Sequence, residues 1–99
     1  VQNGNAVYTG PGPLVVGGRT GVDVLVDDVA IADRHLLVAF DGVFQLRDLG
    51  SVTGTWLDGK PVTTSTPIRD GATIVFGTSV LRAKLDAGSD GQQLELALE

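Results

Sequence analysis

His35-Leu36-Leu37-Val38-Ala39-Phe40-Asp41-Gly42-Val43-Phe44-Gln45-Leu46-Arg47-Asp48-Leu49 decides the fold. Leu36, Val38 and Phe40 fall on one face of the first half, and Phe44 and Leu46 on the same face of the second, a period of two that belongs to half-buried strands. Asp41-Gly42 sits between them and tolerates the positive φ angles of a two-residue hairpin turn. Working outward, the same device returns. Val22, Val24 and Val26 alternate with Asp23 and Asp27, and further Asp-Gly or Asn-Gly pairs stand at Asn3-Gly4, Asp58-Gly59, Asp70-Gly71 and Asp90-Gly91. Turns of this kind between apolar runs predict a meandering antiparallel architecture. Ala72 to Leu85 reads as two strands turning at Gly77 rather than as a helix, because the run Thr73-Ile74-Val75-Phe76 is rich in β-branched residues. Ala87 to Gln93, polar and glycine-containing, reads as a long hairpin loop or a boundary. Strands with one apolar face need a second sheet to cover it, so the fold class is an all-β sandwich.

Composition bounds the rest. Ninety-nine residues hold one domain, residues 1–99, since two cores would each be too small to outweigh chain entropy. Hydrophobic residues make up 42% of the chain, an ordinary share for a packed protein, and fourteen glycines fit many tight turns. A formal net charge of −5 repels nucleic-acid backbones and anionic membrane surfaces alike, so neither is an expected partner. No apolar run is long enough to span a bilayer. The absence of cysteine excludes disulfides and thiolate metal sites, and is compatible with a cytoplasmic location. The opening on Val1 rather than Met is expected of a piece of a longer protein, and Leu98-Glu99 of the remnant of a purification-tag junction.

Four groups of residues carry a more specific pattern. Gly18-Arg19 ends an apolar strand, and Ile31-Ala32-Asp33-Arg34-His35-Leu36 leads into another. Asp48-Leu49-Gly50-Ser51-Val52-Thr53-Gly54-Thr55-Trp56 precedes a hairpin, and Asp70-Gly71 leads to Ile74-Val75-Phe76-Gly77. In this order and at these separations, over residues 14 to 85, they resemble forkhead-associated (FHA) domains, whose usual pattern runs Gly-Arg, Ser-Arg-x-His, Asp-x-Gly-Ser-x-Asn-Gly-Thr, then Asp-Gly before a strand closing in Gly. The resemblance implies a β-sandwich of about eleven short strands whose loops at one end bind phosphothreonine peptides. It implies a module that recruits protein partners, not an enzyme, and one that uses no cofactor.

Carried over residue by residue, the resemblance is uneven. Arg19 matches the arginine that reaches the phosphopeptide, His35 a histidine that stiffens the loops from beneath, and Gly18 and Gly54 glycines of the loop framework. Counting back from His35, the family serine falls on Ala32 and the family arginine on Asp33; the family asparagine falls on Thr53, and Val52 replaces a residue that is often polar. A hydrogen bond to a charged group is worth about 1.5–3 kcal/mol. Two lost phosphate contacts therefore cost about 3–6 kcal/mol, or two to four orders of magnitude in affinity, before any repulsion from Asp33. Arg34 could replace the lost arginine only by swinging into the pocket from one position late, and neighbouring strand residues face opposite sides.

Several of these residues admit a second reading. Arg19, after a Gly-Gly turn, is poised either to hold an anion or to form a surface salt bridge with a nearby aspartate. His35, the only histidine, opens an apolar strand and reads as a buried structural residue. Asp27, Asp28 and Asp33 lack the spacing and glycine of an EF-hand and read as a solvated acidic rim, so no metal site is expected. Gly50 to Thr55 lacks the lysine of a phosphate loop. Trp56 reads as packing in or at the edge of the sandwich. Ser51 and His35 would make a nucleophile and base only if they converged with an aspartate, and no catalytic set is expected. The expected function is phospho-independent binding of a protein partner or a second copy, through Arg19, Arg34, Ser51, Val52 and Thr53. Two alternatives are phosphothreonine binding through Arg19 and a shifted Arg34, and a cytoplasmic FHA-like subunit of a bacterial membrane or secretion assembly.

Overall fold

A computed structural model of the chain describes residues 6–8, 12–88 and 91–99. The strands are Ala6–Tyr8 (β1), Leu14–Gly17 (β2), Val24–Leu25 (β3), Leu36–Phe40 (β4), Phe44–Asp48 (β5), Thr55–Leu57 (β6), Lys60–Pro61 (β7), Thr66–Pro67 (β8), Thr73–Phe76 (β9), Ser79–Gly88 (β10) and Gly91–Leu98 (β11). They form two sheets, one in the order β1-β11-β10-β9-β6-β7 and the other β3-β2-β4-β5-β8. The inner faces meet over Val16, Leu36, Val38, Leu46, Ile74, Phe76, Leu81 and Leu94, none of which exposes any surface. All but Val16 come from alternating stretches, so the pleat itself delivers them to the core; Val16 lies on β2, which is buried along its whole length. The all-β sandwich expected from the alternation is the fold observed.

Four details differ from the reading above. First, β2 and β3 run parallel, pairing Val16 with Val24. The side-chain alternation of Val22 to Val26 is the same for either direction, and what brings β3 in this way is Asp23. Its N–H donates to the Val15 carbonyl at 2.9 Å, and its carboxylate accepts the Val15 N–H at 2.7 Å. Second, the β4–β5 hairpin pairs Phe40 with Phe44, so its loop has three residues, Asp41 to Val43, closed by the Asp41 N–H on the Val43 carbonyl. The two-residue turn is instead Asp58-Gly59, between paired Leu57 and Lys60, with φ of 49° and 83°. Third, Asp70-Gly71 does not close a hairpin; it carries the chain from β8 in one sheet to β9 in the other. Fourth, Ala87, Gly88 and Gly91 to Gln93 belong to β10 and β11, whose ladder continues from Leu85↔Leu94 to Gly88↔Gly91, because backbone hydrogen bonds do not require apolar side chains. Asn3-Gly4 and Asp90 lie outside the described residues.

Candidate functional site

The loops 18–23, 27–35 and 49–54 and the β9–β10 turn gather at one end of the sandwich, and three side chains hold them together from inside. Asp48, at the end of β5, accepts the backbone N–H groups of Gly50 and Ser51 at 3.0 and 2.9 Å on one oxygen. On the other it accepts the hydroxyls of Ser51 and Thr55 at 2.6 and 2.7 Å. Ser51 Oγ in turn accepts the Gly54 N–H at 2.9 Å, which closes the loop on itself. Burial raises the Asp48 pKa, but the hydroxyls of Ser51 and Thr55 and the Ser51 N–H outweigh it and hold the carboxyl below the usual carboxylate range.

His35, completely buried, joins this loop to its neighbour. Its Nδ1 accepts the Ala32 N–H at 3.0 Å. Its Nε2 lies 2.8 Å from the Gly54 carbonyl, which can only accept, so the ring is the neutral tautomer with the proton on Nε2. Gly54 itself stands at φ 86°, and the Trp56 ring lies against it on the outer face of β6, 37% exposed.

Asp28 is the third fastener, and it is no solvated rim residue. One oxygen accepts the Ala30 N–H at 2.9 Å. The other takes the Thr78 N–H, the Thr78 hydroxyl and the Ser79 hydroxyl at 2.8, 2.9 and 2.7 Å. The Ser79 hydroxyl, followed by the Ala30 N–H, lowers its pKa from 3.8 to about 2. No local pattern signals this role, because the partners lie about fifty residues downstream. Gly77, at φ 61°, admits the arrangement: a Cβ there would meet Ile31 Cγ2 at 2.5 Å and Asp28 Oδ2 at 2.9 Å. Among the described residues no group of three acidic or histidine side chains could hold a metal ion.

The tips of the same loops are different. Arg19 and Asp33 face each other as an ion pair, Nη1 to Oδ2 3.2 Å, with side chains 74% and 68% exposed. This is the salt-bridge reading of Arg19. Ala32 gives its N–H to His35. Thr53 donates its hydroxyl to the Ala30 carbonyl at 2.9 Å, so it ties the two loops rather than standing free. Arg34 is exposed and, among the described residues, stands in no ion pair. Val52 and Val29, the latter not singled out from sequence, are fully exposed at the loop tips. Gly18 donates its N–H to the Ala32 carbonyl at 3.0 Å, but Gly17 is the tighter position: a Cβ there would fall 1.9 Å from the Asp33 carbonyl oxygen.

Ser51, His35 and Asp48 do converge, yet not as a nucleophile and its base. The Ser51 hydroxyl proton goes to Asp48, both ring nitrogens of His35 are occupied by backbone groups, and His35 Nε2 stands 3.8 Å from Asp48 Oδ1. No lone pair of the ring faces the hydroxyl. The arrangement rigidifies loops; it has no means of activating Ser51.

The fold and this loop cluster define an interaction module, and comparison with known proteins agrees. The FHA domain model matches residues 14–77. The chain belongs to the FHA domain family. It is 28% identical over 82 residues to the FHA domain-containing protein FhaB of Mycolicibacterium smegmatis, covering 82% of this chain and 53% of that protein, so it spans about half the length of this relative. Among solved structures, the FhaA FHA domain complexed with the intracellular domain of Rv3910 superposes with a TM-score of 0.67 at 24% identity, covering 93% of this chain and 85% of that one. An FHA domain from a structural and functional analysis of phosphothreonine-dependent interactions gives 0.66 at 24% identity, over 92% and 79%. No helix among the described residues is long and apolar enough to cross a membrane.

Proposed function

We propose that this FHA domain binds its protein partner through the loop end without requiring a phosphothreonine. The observation that carries the reading is the Arg19–Asp33 ion pair: the arginine matching the family's phosphopeptide contact is faced at 3.2 Å by a carboxylate, where the family pattern has a second arginine. An exposed pair of this kind is worth only about 0–1 kcal/mol, so Asp33 does not lock Arg19 away. The larger obstacle is what a phosphate would find there. Ala32 offers a methyl group and has spent its N–H on His35, Thr53 has spent its hydroxyl on Ala30, and Asp33 repels a dianion.

What remains exposed suits an ordinary polypeptide: two valines, Val29 and Val52, on stapled loops, with Arg34 and the Arg19–Asp33 pair beside them, whereas Ser51 is half-buried with its hydroxyl held between Asp48 and Gly54. Loops held in place before binding lose little conformational entropy on it. The FhaA domain in complex with the intracellular domain of Rv3910 supports a protein as the partner class; the likeness to an FHA domain with phosphothreonine-dependent interactions favours the alternative reading, phosphothreonine binding through Arg19 and a shifted Arg34. The test is an NMR titration with matched degenerate libraries of phosphothreonine and threonine peptides. The expected result is no phosphate-dependent shift of the amides near Arg19 and Thr53. Micromolar binding of the phosphorylated library, abolished by Arg19→Ala, would overturn the proposal.

A further inference from the structure

A second site lies at the other end of the sandwich, on the open edges of both sheets. β7 ends one sheet and β8 ends the other, and a cleft of about 280 Å³ separates them. Lys60 and Arg69 stand at its end farther from the loops, while Val62 reaches back along β6, its N–H on the Thr55 carbonyl at 2.8 Å. β6 leaves the loop cluster at Gly54 and reaches the Asp58-Gly59 turn, where Asp58 accepts the N–H of Thr73, while the opposite end of β9 leads to Thr78 and Asp28. Leu57, Val62, Pro61 and Pro67 supply apolar walls, and Lys60 and Arg69 supply charge.

Two features define what this cleft takes. Pro61 and Pro67 have no N–H to offer at either edge, so a partner is not captured there by extending a sheet, and recognition falls to side chains. The charge is also out of keeping with the chain, which carries seven basic residues against twelve acidic ones. Arg19 and Arg82 are in ion pairs with Asp33 and Glu99, whereas among the described residues Lys60 and Arg69, like Arg34, Arg47 and Lys84, are in none; what sets these two apart is that they stand together. Both line this cleft. Asp58, on the same wall, has one oxygen committed to the Thr73 N–H at 2.9 Å. We infer that the cleft docks a short acidic segment of a protein partner, an aliphatic side chain entering between the prolines and flanking carboxylates meeting Lys60 and Arg69.

This site is independent of the loop end, and its test is separate. The probe is the blocked peptide acetyl-Ala-Glu-Leu-Glu-Ala-amide, titrated into the isotopically labelled chain, with the same peptide carrying Gln for Glu as control. The acidic peptide is expected to shift the amides of Lys60, Val62 and Arg69 while those of Asp28 to Arg34 and Gly50 to Gly54 stay in place, and to bind more weakly as ionic strength rises. Replacing both cations, Lys60→Gln with Arg69→Gln, should weaken binding about tenfold. Both residues are exposed, so an unchanged melting temperature shows that the variant is folded. Equal binding of the Gln peptide, shifts centred on the loops, or cleft shifts that depend on protein concentration without peptide would each overturn the inference.

Discussion

Beneath the loop cluster, Asp48 closes one loop on itself, while His35 and Asp28 join separate loops; at the tips, Ala32, Asp33, Val52 and Thr53 replace the residues of the family pattern. The two layers come from interleaved residues of the same segments. The frame and the ligand contacts of such a domain are therefore separable, since hydrogen bonds directed inward set the loop shapes whatever the tips carry. A domain can lose one specificity at its tips and keep a rigid platform.

The sharpest way to break the lower layer is through the backbone. Gly17→Ala drives a methyl group to 1.9 Å from the Asp33 carbonyl oxygen. The loss should exceed about 4 kcal/mol, seen as a chain without cooperative unfolding in a denaturant titration. Next comes His35→Ala, which empties a fully buried position and strands the Ala32 N–H and the Gly54 carbonyl. It should cost about 3 kcal/mol and lower the melting temperature by roughly 15 °C in calorimetry.

A milder stress separates the layers by pH. Asp28 has its pKa lowered by folding, so the stability it contributes is complete above 3.8 and disappears as pH falls towards about 2. Asp48, shifted in the same direction, adds to the same acid loss. Denaturant melts across that window should show stability falling with pH, and Asp28→Asn should flatten the dependence. At the tips the expected change is smallest: Asp33→Asn removes only an exposed ion pair and should alter stability by less than about 1 kcal/mol in the same melts.

The hairpin around Asp41-Gly42 was legible because Leu36, Val38, Phe44 and Leu46 repeat with the period of the structure they make. The site was legible where the motif is local: Asp48, Gly50, Ser51, Gly54 and Thr55 all serve one loop. What was not legible depends on distant chain. Asp28 looked like one of three clustered acids because its partners, Thr78 and Ser79, lie across the cluster. Gly17 read only as part of a Gly-Gly turn before Arg19, because its constraint is a backbone oxygen from another loop. The parallel pairing of β3 left no trace in an alternation that is identical for both directions.

On the proposed reading the platform is kept and the tips alone depart from the family pattern. Its most direct test is the affinity of the triple variant Ala32→Ser, Asp33→Arg, Thr53→Asn for a phosphothreonine peptide, measured by calorimetry beside the unaltered chain. Binding is expected to appear and to be at least about 100-fold tighter than in the unaltered chain, the smaller end of what two phosphate contacts supply. A folded triple variant with no gain, or an unaltered chain that already binds the peptide as tightly, would contradict it.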